Sequence, residues 1–359
     1  MKKIIDILKL PNIVTGYLYS YIHLITEIAC FYFLVKVTDN WNFVWLIPFI
    51  YDGMAFVPQA LIGYISDKFE KIDFSLIGMF LIIVSYIMFF GFNVNLYLSL
   101  ITLCLGNACV HINAAEVTLK TSNGKLSHSA IFVAGGSFGV ILGKLLATSI
   151  VPYWGIILFE LTTIPFVLLA KTYLKEEDNC EKFNYINKKI NPVSIILLAV
   201  LVVIIRGYIG YGLPTTWNKT VIQTVILYFT MGIGKALGGI LSDAFGIRKI
   251  AVISTIFAIP FLLLGENLMI VSLIGVMFFS MTMSITLAIL VSVLKKTPGL
   301  AFGLTTIGLF LGTAPIFFVK IINKTFNLAM ITGMSLLCAF ILLLILVPAD
   351  KEIKNEVDI

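Results

Sequence analysis

The stretch GYISDKF, residues 63–69, returns as GILSDAF at residues 239–245. Both read Gly-x-x-Ser-Asp-x-Phe, and Asp67 and Asp243 stand 176 residues apart in a chain of 359. A polar string that recurs at nearly half the chain length points to an internal duplication. Each copy ends a long apolar run and is followed by charge: Lys68, Glu70, Lys71 and Asp73 after the first, Arg248 and Lys249 after the second.

The composition around those strings sets the class. The chain is 59% hydrophobic and 12% charged, with a mean hydropathy of +1.03. Soluble domains carry about twice that share of charge, so the apolar excess has to face lipid. The expectation is an integral membrane protein, all-α.

A bilayer core about 30 Å thick needs roughly 20 apolar residues per helix. Twelve such windows lie between charged or turn-forming breaks, at 13–35, 42–65, 73–92, 95–118, 127–150, 153–172, 192–213, 218–241, 249–265, 268–293, 299–322 and 326–347. With the N-terminus inside, the cytoplasmic segments take eighteen of the twenty-five Lys and Arg. Outside segments hold Lys36, Lys219, Lys320 and Lys324, while Lys144, Arg206 and Lys235 fall within windows. This asymmetry places both termini in the cytoplasm and requires an even number of crossings. It also accounts for the net charge of +6, so no nucleic-acid partner is called for.

The longest polar interruption, KTYLKEEDNCEKFNYINKKINP at 171–192, separates windows six and seven. The chain therefore divides into an N-terminal six-helix bundle (1–172), a cytoplasmic linker (173–190), a C-terminal six-helix bundle (191–350) and a cytoplasmic tail (351–359). With the echoed string after the second helix of each half, the layout is two related bundles with pseudo-two-fold symmetry. At the start, MKKIIDILKLPN is basic, but Asp6 and Lys9 interrupt any apolar core of a signal peptide, and none is read there. The five cysteines form no C-x-x-C pair, so neither disulfides nor a metal centre are expected.

The paired strings resemble the major facilitator superfamily, which carries Gly-x-x-x-Asp-[Arg/Lys]-x-Gly-[Arg/Lys] between helices two and three and echoes it between helices eight and nine. Here the first copy is Gly63, Asp67, Lys68 and Lys71, with Glu70 where Gly is expected, and the second is Gly239, Asp243, Gly246, Arg248 and Lys249. The resemblance implies that these residues latch a cytoplasmic gate. Physically, glycine allows two helices to approach closely, and a carboxylate at a helix end neutralises the positive N-terminus of a neighbour. The alternative is that Asp67 and Lys68 are ordinary charged loop residues. A narrower likeness, to the fosmidomycin-resistance type of efflux protein, is carried by HLITE (23–27), PQALIGYISDK (58–68), GNACVH (106–111), RGYIGYGLPTTW (206–217) and GLAFGL (299–304). The chain departs from that type at Glu27, where Asp is expected, and at Ile112, where Pro follows the histidine.

Ionisable side chains are costly in hydrocarbon, so each one inside a window is a functional candidate. His23 and Glu27 lie one turn apart on a single face. A carboxylate beside an imidazole in a partly dry cavity can exchange a proton near neutral pH, or it can serve as a structural hydrogen bond. Asp52 is read either as a proton relay or as the partner of a cation from another helix. Arg206 suits an anionic substrate or a counter-ion role towards Asp52 or Glu27. Asn107 and His111 share one face of helix four. Glu116 is read as a local partner of Lys120, and Lys235 as snorkelling away from the site. In helix five Gly135, Gly139 and Gly143 repeat every fourth residue, which reads as a close, sliding helix contact.

The expected function is secondary active transport by alternating access, as proton-coupled efflux of a small amphipathic or anionic organic molecule. Proton-coupled uptake and a non-transporting receptor or scaffold are the alternatives. An enzyme is disfavoured and nucleotide use is not expected, because Gly143-Lys144 and Gly234-Lys235 lack the rest of a phosphate loop. The expected partners are the substrate, a proton and the lipid bilayer, without a cofactor, for a monomer in the cell membrane.

Overall fold

In the computed structural model, residues 2–10, 12–38, 45–69, 71–175, 179–213, 215–318 and 324–347 are described. Glu70, Lys320 and the expected tail 351–359 lie outside them. Among the described residues, twelve helices are long and apolar enough to cross a membrane. They are α1 Ile13–Thr38, α2 Leu46–Lys68, α3 Phe74–Gly91, α4 Leu96–Lys120, α5 Ser127–Ala147, α6 Tyr153–Lys171, α7 Pro192–Gly212, α8 Val221–Phe245, α9 Ile247–Leu264, α10 Met269–Val293, α11 Pro298–Phe317 and α12 Thr325–Ile345. No β-strand occurs among the described residues beyond a bridge between Ile186 and Leu346.

Local chemistry sets where the helices start and bend. Asp73 accepts from Leu76 N to cap α3, Asn95 caps α4, and Asn191 caps α7 directly ahead of Pro192. Thr220 and Gln223 form a reciprocal capping box at the start of α8. Pro58, which has no N–H to give, marks a break inside α2.

The first six helices pack chiefly among themselves, as do the last six. Two antiparallel seams join the halves, α2 against α11 and α5 against α8. Helices α1, α4 and α10 bury 72% of their most apolar stretch and α5 67%, whereas α2, α6 and α8 bury 28%. The inner helices α1 and α4 are therefore the ones able to shelter polar side chains, and they carry His23, Glu27, Asn107 and His111. The described part of the linker is packed onto the bundles. Phe183 and Cys180 are buried, Asn187 N donates to Ile345 O at 2.8 Å, and Tyr185 Oη donates to Gly124 O at 2.6 Å. Burial pushes the Cys180 thiol up to about 12.

The glycine repeat of α5 makes a close helix contact, as expected, and its partner is α1. Side chains added at Gly135, Gly139 and Gly143 would collide with the α1 carbonyls of Ser20, Leu24 and Ile28. The repeat thus fixes α5 to α1 inside one half. The seam with α8 is opened instead by Gly232, which faces Phe138, and by Gly239, which faces Ala130 and the Leu126 carbonyl.

Candidate functional site

The echoed strings make the same contact twice. At the linker-facing end of α2, Asp67 accepts from Gly299 N and Leu300 N, both at 2.9 Å, closing the first turn of α11. At the corresponding end of α8, Asp243 accepts from Leu126 N and Ser127 N, both at 2.9 Å, at the start of α5. The exposed N–H groups of a helix N-terminus find a carboxylate in each case. Gly63 makes room, because a Cβ there would strike the Gly299 carbonyl. Gly246, at φ 95°, turns the chain between α8 and α9, and Arg248 Nη2 donates to Leu343 O at 2.8 Å on α12. Lys68 lies over its neighbour Tyr64 at 4.3 Å, and Lys71 is exposed, so these two stand apart from the seam.

Glu116 belongs to this seam as well. Its Oε2 accepts from Ser66 Oγ at 2.7 Å, and a side chain on Gly299 would meet its other oxygen. Glu116 also interacts electrostatically with Lys120, the partner read from the sequence, and the packing of α4 against α2 brings Ser66 within reach as well. At the opposite end the α2–α11 seam is held by rings: Phe49 lies 5.0 Å from Phe318, and Trp45 lies 5.5 Å from Phe318. Lys144 donates to Tyr228 Oη at 3.2 Å across the α5–α8 seam.

Deep in the N-terminal half, α1 and α4 bring three ionisable groups together. His23 Nε2 and His111 Nε2 are 2.7 Å apart. Glu27 Oε1 lies 3.7 Å from the first and 3.3 Å from the second. All three side chains are buried. His23 Nδ1 lies 3.0 Å from Phe132 O, and His111 Nδ1 lies 2.9 Å from Asn107 O. A carbonyl only accepts, so the tautomer that satisfies both contacts carries its hydrogen on Nδ1, and in neutral rings of that tautomer the two Nε2 lone pairs face each other beside Glu27. Two lone pairs at that separation repel unless a cation sits between them. Asn107 Nδ2 donates to Glu27 Oε1 at 3.1 Å and also meets Cys30 Sγ and Tyr51 Oη, both at 3.3 Å, which fixes the carboxylate against the pair. The ring of His23 occupies the space that a side chain at Gly136 would fill.

The other candidates surround this cluster at a distance. Asp52, buried on α2, interacts electrostatically with Glu27 and with Lys144 of α5. Arg206 on α7 donates weakly to Phe279 O at 3.4 Å and stacks over that ring at 5.3 Å. Among the described residues it makes no ion pair with Asp52 or Glu27, and Thr255, Thr282, Ser335 and Cys338 line the small cavity beside it. Lys235 of α8, read from the sequence as snorkelling away, is half-buried and interacts electrostatically with both Glu27 and Arg206. The site thus gathers His23, Glu27, Asn107 and His111 in direct contact and leaves Asp52 and Arg206 outside it.

Twelve crossing helices in two halves, joined along α2–α11 and α5–α8 seams, are the major facilitator fold. Solved transporters share it along nearly their whole length. The human organic anion transporter MFSD10 is 13% identical, with a TM-score of 0.61, over 93% of this chain and 100% of that one. The Escherichia coli fucose:proton symporter FucP is 14% identical, with a TM-score of 0.62, over 93% and 97%. The proton:xylose symporter XylE is 14% identical, with a TM-score of 0.65, over 91% and 94%. No protein-family model matches the sequence, nor does any curated protein.

Proposed function

We propose that the chain is a proton-coupled secondary transporter of a small organic molecule that works by alternating access. The carrying observation is the His23–His111 pair, whose facing lone pairs are separated by 2.7 Å beside the Glu27 carboxylate. A proton between the two rings carries one positive charge, and Glu27 supplies the matching negative one. Taking up and releasing that proton changes the charge of the cluster, which gives the bundles a reason to rearrange.

Lys144 interacts electrostatically with Asp52, and Lys235 with Glu27 and Arg206, and cations so placed inside the helices would suit an anionic substrate. Asp67 and Asp243 act in this reading as the two clasps of the linker-facing gate. Export is the leading direction, on the strength of the likeness to fosmidomycin-resistance type efflux proteins. Uptake is the second reading, favoured by the two proton symporters among the fold relatives.

Liposomes containing purified protein and an internal pH dye test the proposal against a panel of organic anions, drugs and metabolites. A substrate-driven proton flux that Glu27→Gln abolishes is the expected result, and its sign gives the direction. Equal behaviour of wild type and variant with every compound overturns the coupling role.

A further inference from the structure

His23 Nε2, His111 Nε2 and Glu27 Oε1 are metal-ligating atom types, and all three lie within 4.8 Å of one another. Around a tetrahedral zinc ion with bonds of about 2.0–2.2 Å, neighbouring ligand atoms stand about 3.3 Å apart. The nitrogen-to-oxygen separations of 3.3 and 3.7 Å are already near that spacing. The nitrogen-to-nitrogen separation of 2.7 Å has to open by about 0.6 Å.

The surroundings are those of a prepared ligand set. Backbone carbonyls hold both rings through Nδ1, which fixes their orientation and turns both Nε2 lone pairs inward. Asn107 steadies the carboxylate through Nδ2, while its own Oδ1, fully buried, has no hydrogen-bond partner. Gly136 leaves the space that the His23 ring fills.

We propose that His23, Glu27 and His111 form a binding site for a divalent transition-metal ion of the zinc class. Two imidazoles and one carboxylate suit that class, whereas magnesium and calcium favour all-oxygen sets. This inference goes beyond the transport reading, because it needs three converging ligands and not a coupled cycle.

The test uses full-length protein in detergent, freed of any affinity tag, titrated with cobalt(II) and then zinc(II). Background from other imidazoles is low, because the chain has three histidines and the third, His128, is buried. A saturable visible band of low-coordinate cobalt, displaced by zinc, is expected, with affinity lowered about a hundredfold in His111→Gln. X-ray absorption at the zinc edge of the wild-type complex should show two imidazole ligands, a readout that requires no variant to fold. Absence of the band, or a zinc shell of oxygen alone, overturns the site. A metal complex without substrate-driven proton flux removes the coupling reading and keeps this one, and proton flux without a metal complex does the reverse.

Discussion

Asp67 and Asp243, 176 residues apart in sequence, each receive two backbone N–H groups at 2.9 Å from the first turn of a helix in the opposite half. The duplication visible in the sequence is thus a duplicated clasp, with α2 holding α11 and α8 holding α5 at the same face. In the proposed alternating-access cycle, two equivalent clasps would both have to release for the linker-facing side to open.

Removing one carboxylate should shift the opening equilibrium. A helix cap is worth about 1 kcal/mol, so Asp67→Ala should raise the population open at that face about fivefold. Spin labels at Lys71 and Lys296, both exposed, report it as a longer-distance population in pulsed dipolar spectra. An unchanged distance distribution in Asp67→Ala and Asp243→Ala alike removes the clasp.

Glycine substitutions should separate packing from propensity. Alanine in a helix is favoured over glycine by about 1 kcal/mol. At Gly136 the added methyl would overlap the His23 imidazole, whereas at Gly91 its nearest neighbour is a side-chain atom 3.8 Å away. Gly136→Ala should therefore lose substrate-driven proton flux while remaining folded, and Gly91→Ala should keep it. Comparing the two in the same liposome assay, with melting temperatures as the fold control, decides the point.

Asn107 acts on Glu27 as a positioning residue. Asn107→Leu removes the donor to Glu27 Oε1 and leaves a buried acceptor short of a partner, at a cost of about 1–3 kcal/mol. Coupled flux should fall with little change in substrate KM, while Asn107→Gln should recover part of it. A KM change without loss of maximal flux would place Asn107 on the substrate instead.

Much of this arrangement was legible in the sequence because the bilayer imposes it. The expected windows 73–92 and 153–172 stand beside observed helices Phe74–Gly91 and Tyr153–Lys171, since lipid demands a nearly fixed apolar length. His23 and Glu27 were paired by a one-turn spacing. Their meeting with His111 was not legible, because it depends on α1 packing against α4 across 88 residues of sequence. Gly136 gave no signal of its own, as it sits beside the stripe of Gly135, Gly139 and Gly143 but serves a side chain where they serve a backbone. The direction of Lys235 was not legible either, because a long side chain in a helix shows its spacing in sequence but not its direction.

The linker offers a chemical report on gate opening. Cys180 is buried against the bundles, and burial pushes its thiol up to about 12. The neutral form is the one favoured in the closed structure, so at pH 8 far less of the thiol is ionised than the roughly one in four of a free cysteine. Maleimide labelling of Cys180 should therefore be slow in wild type and keep rising with pH beyond 9, where a free thiol levels off. Asp67→Ala and Tyr185→Phe, which loosen the clasp and the 2.6 Å bond to Gly124 O, should both speed it at neutral pH. Peptide mass spectrometry resolves the labelled site. Rapid labelling of the wild type with a plateau near pH 9 would mean that the linker stands free of the bundles.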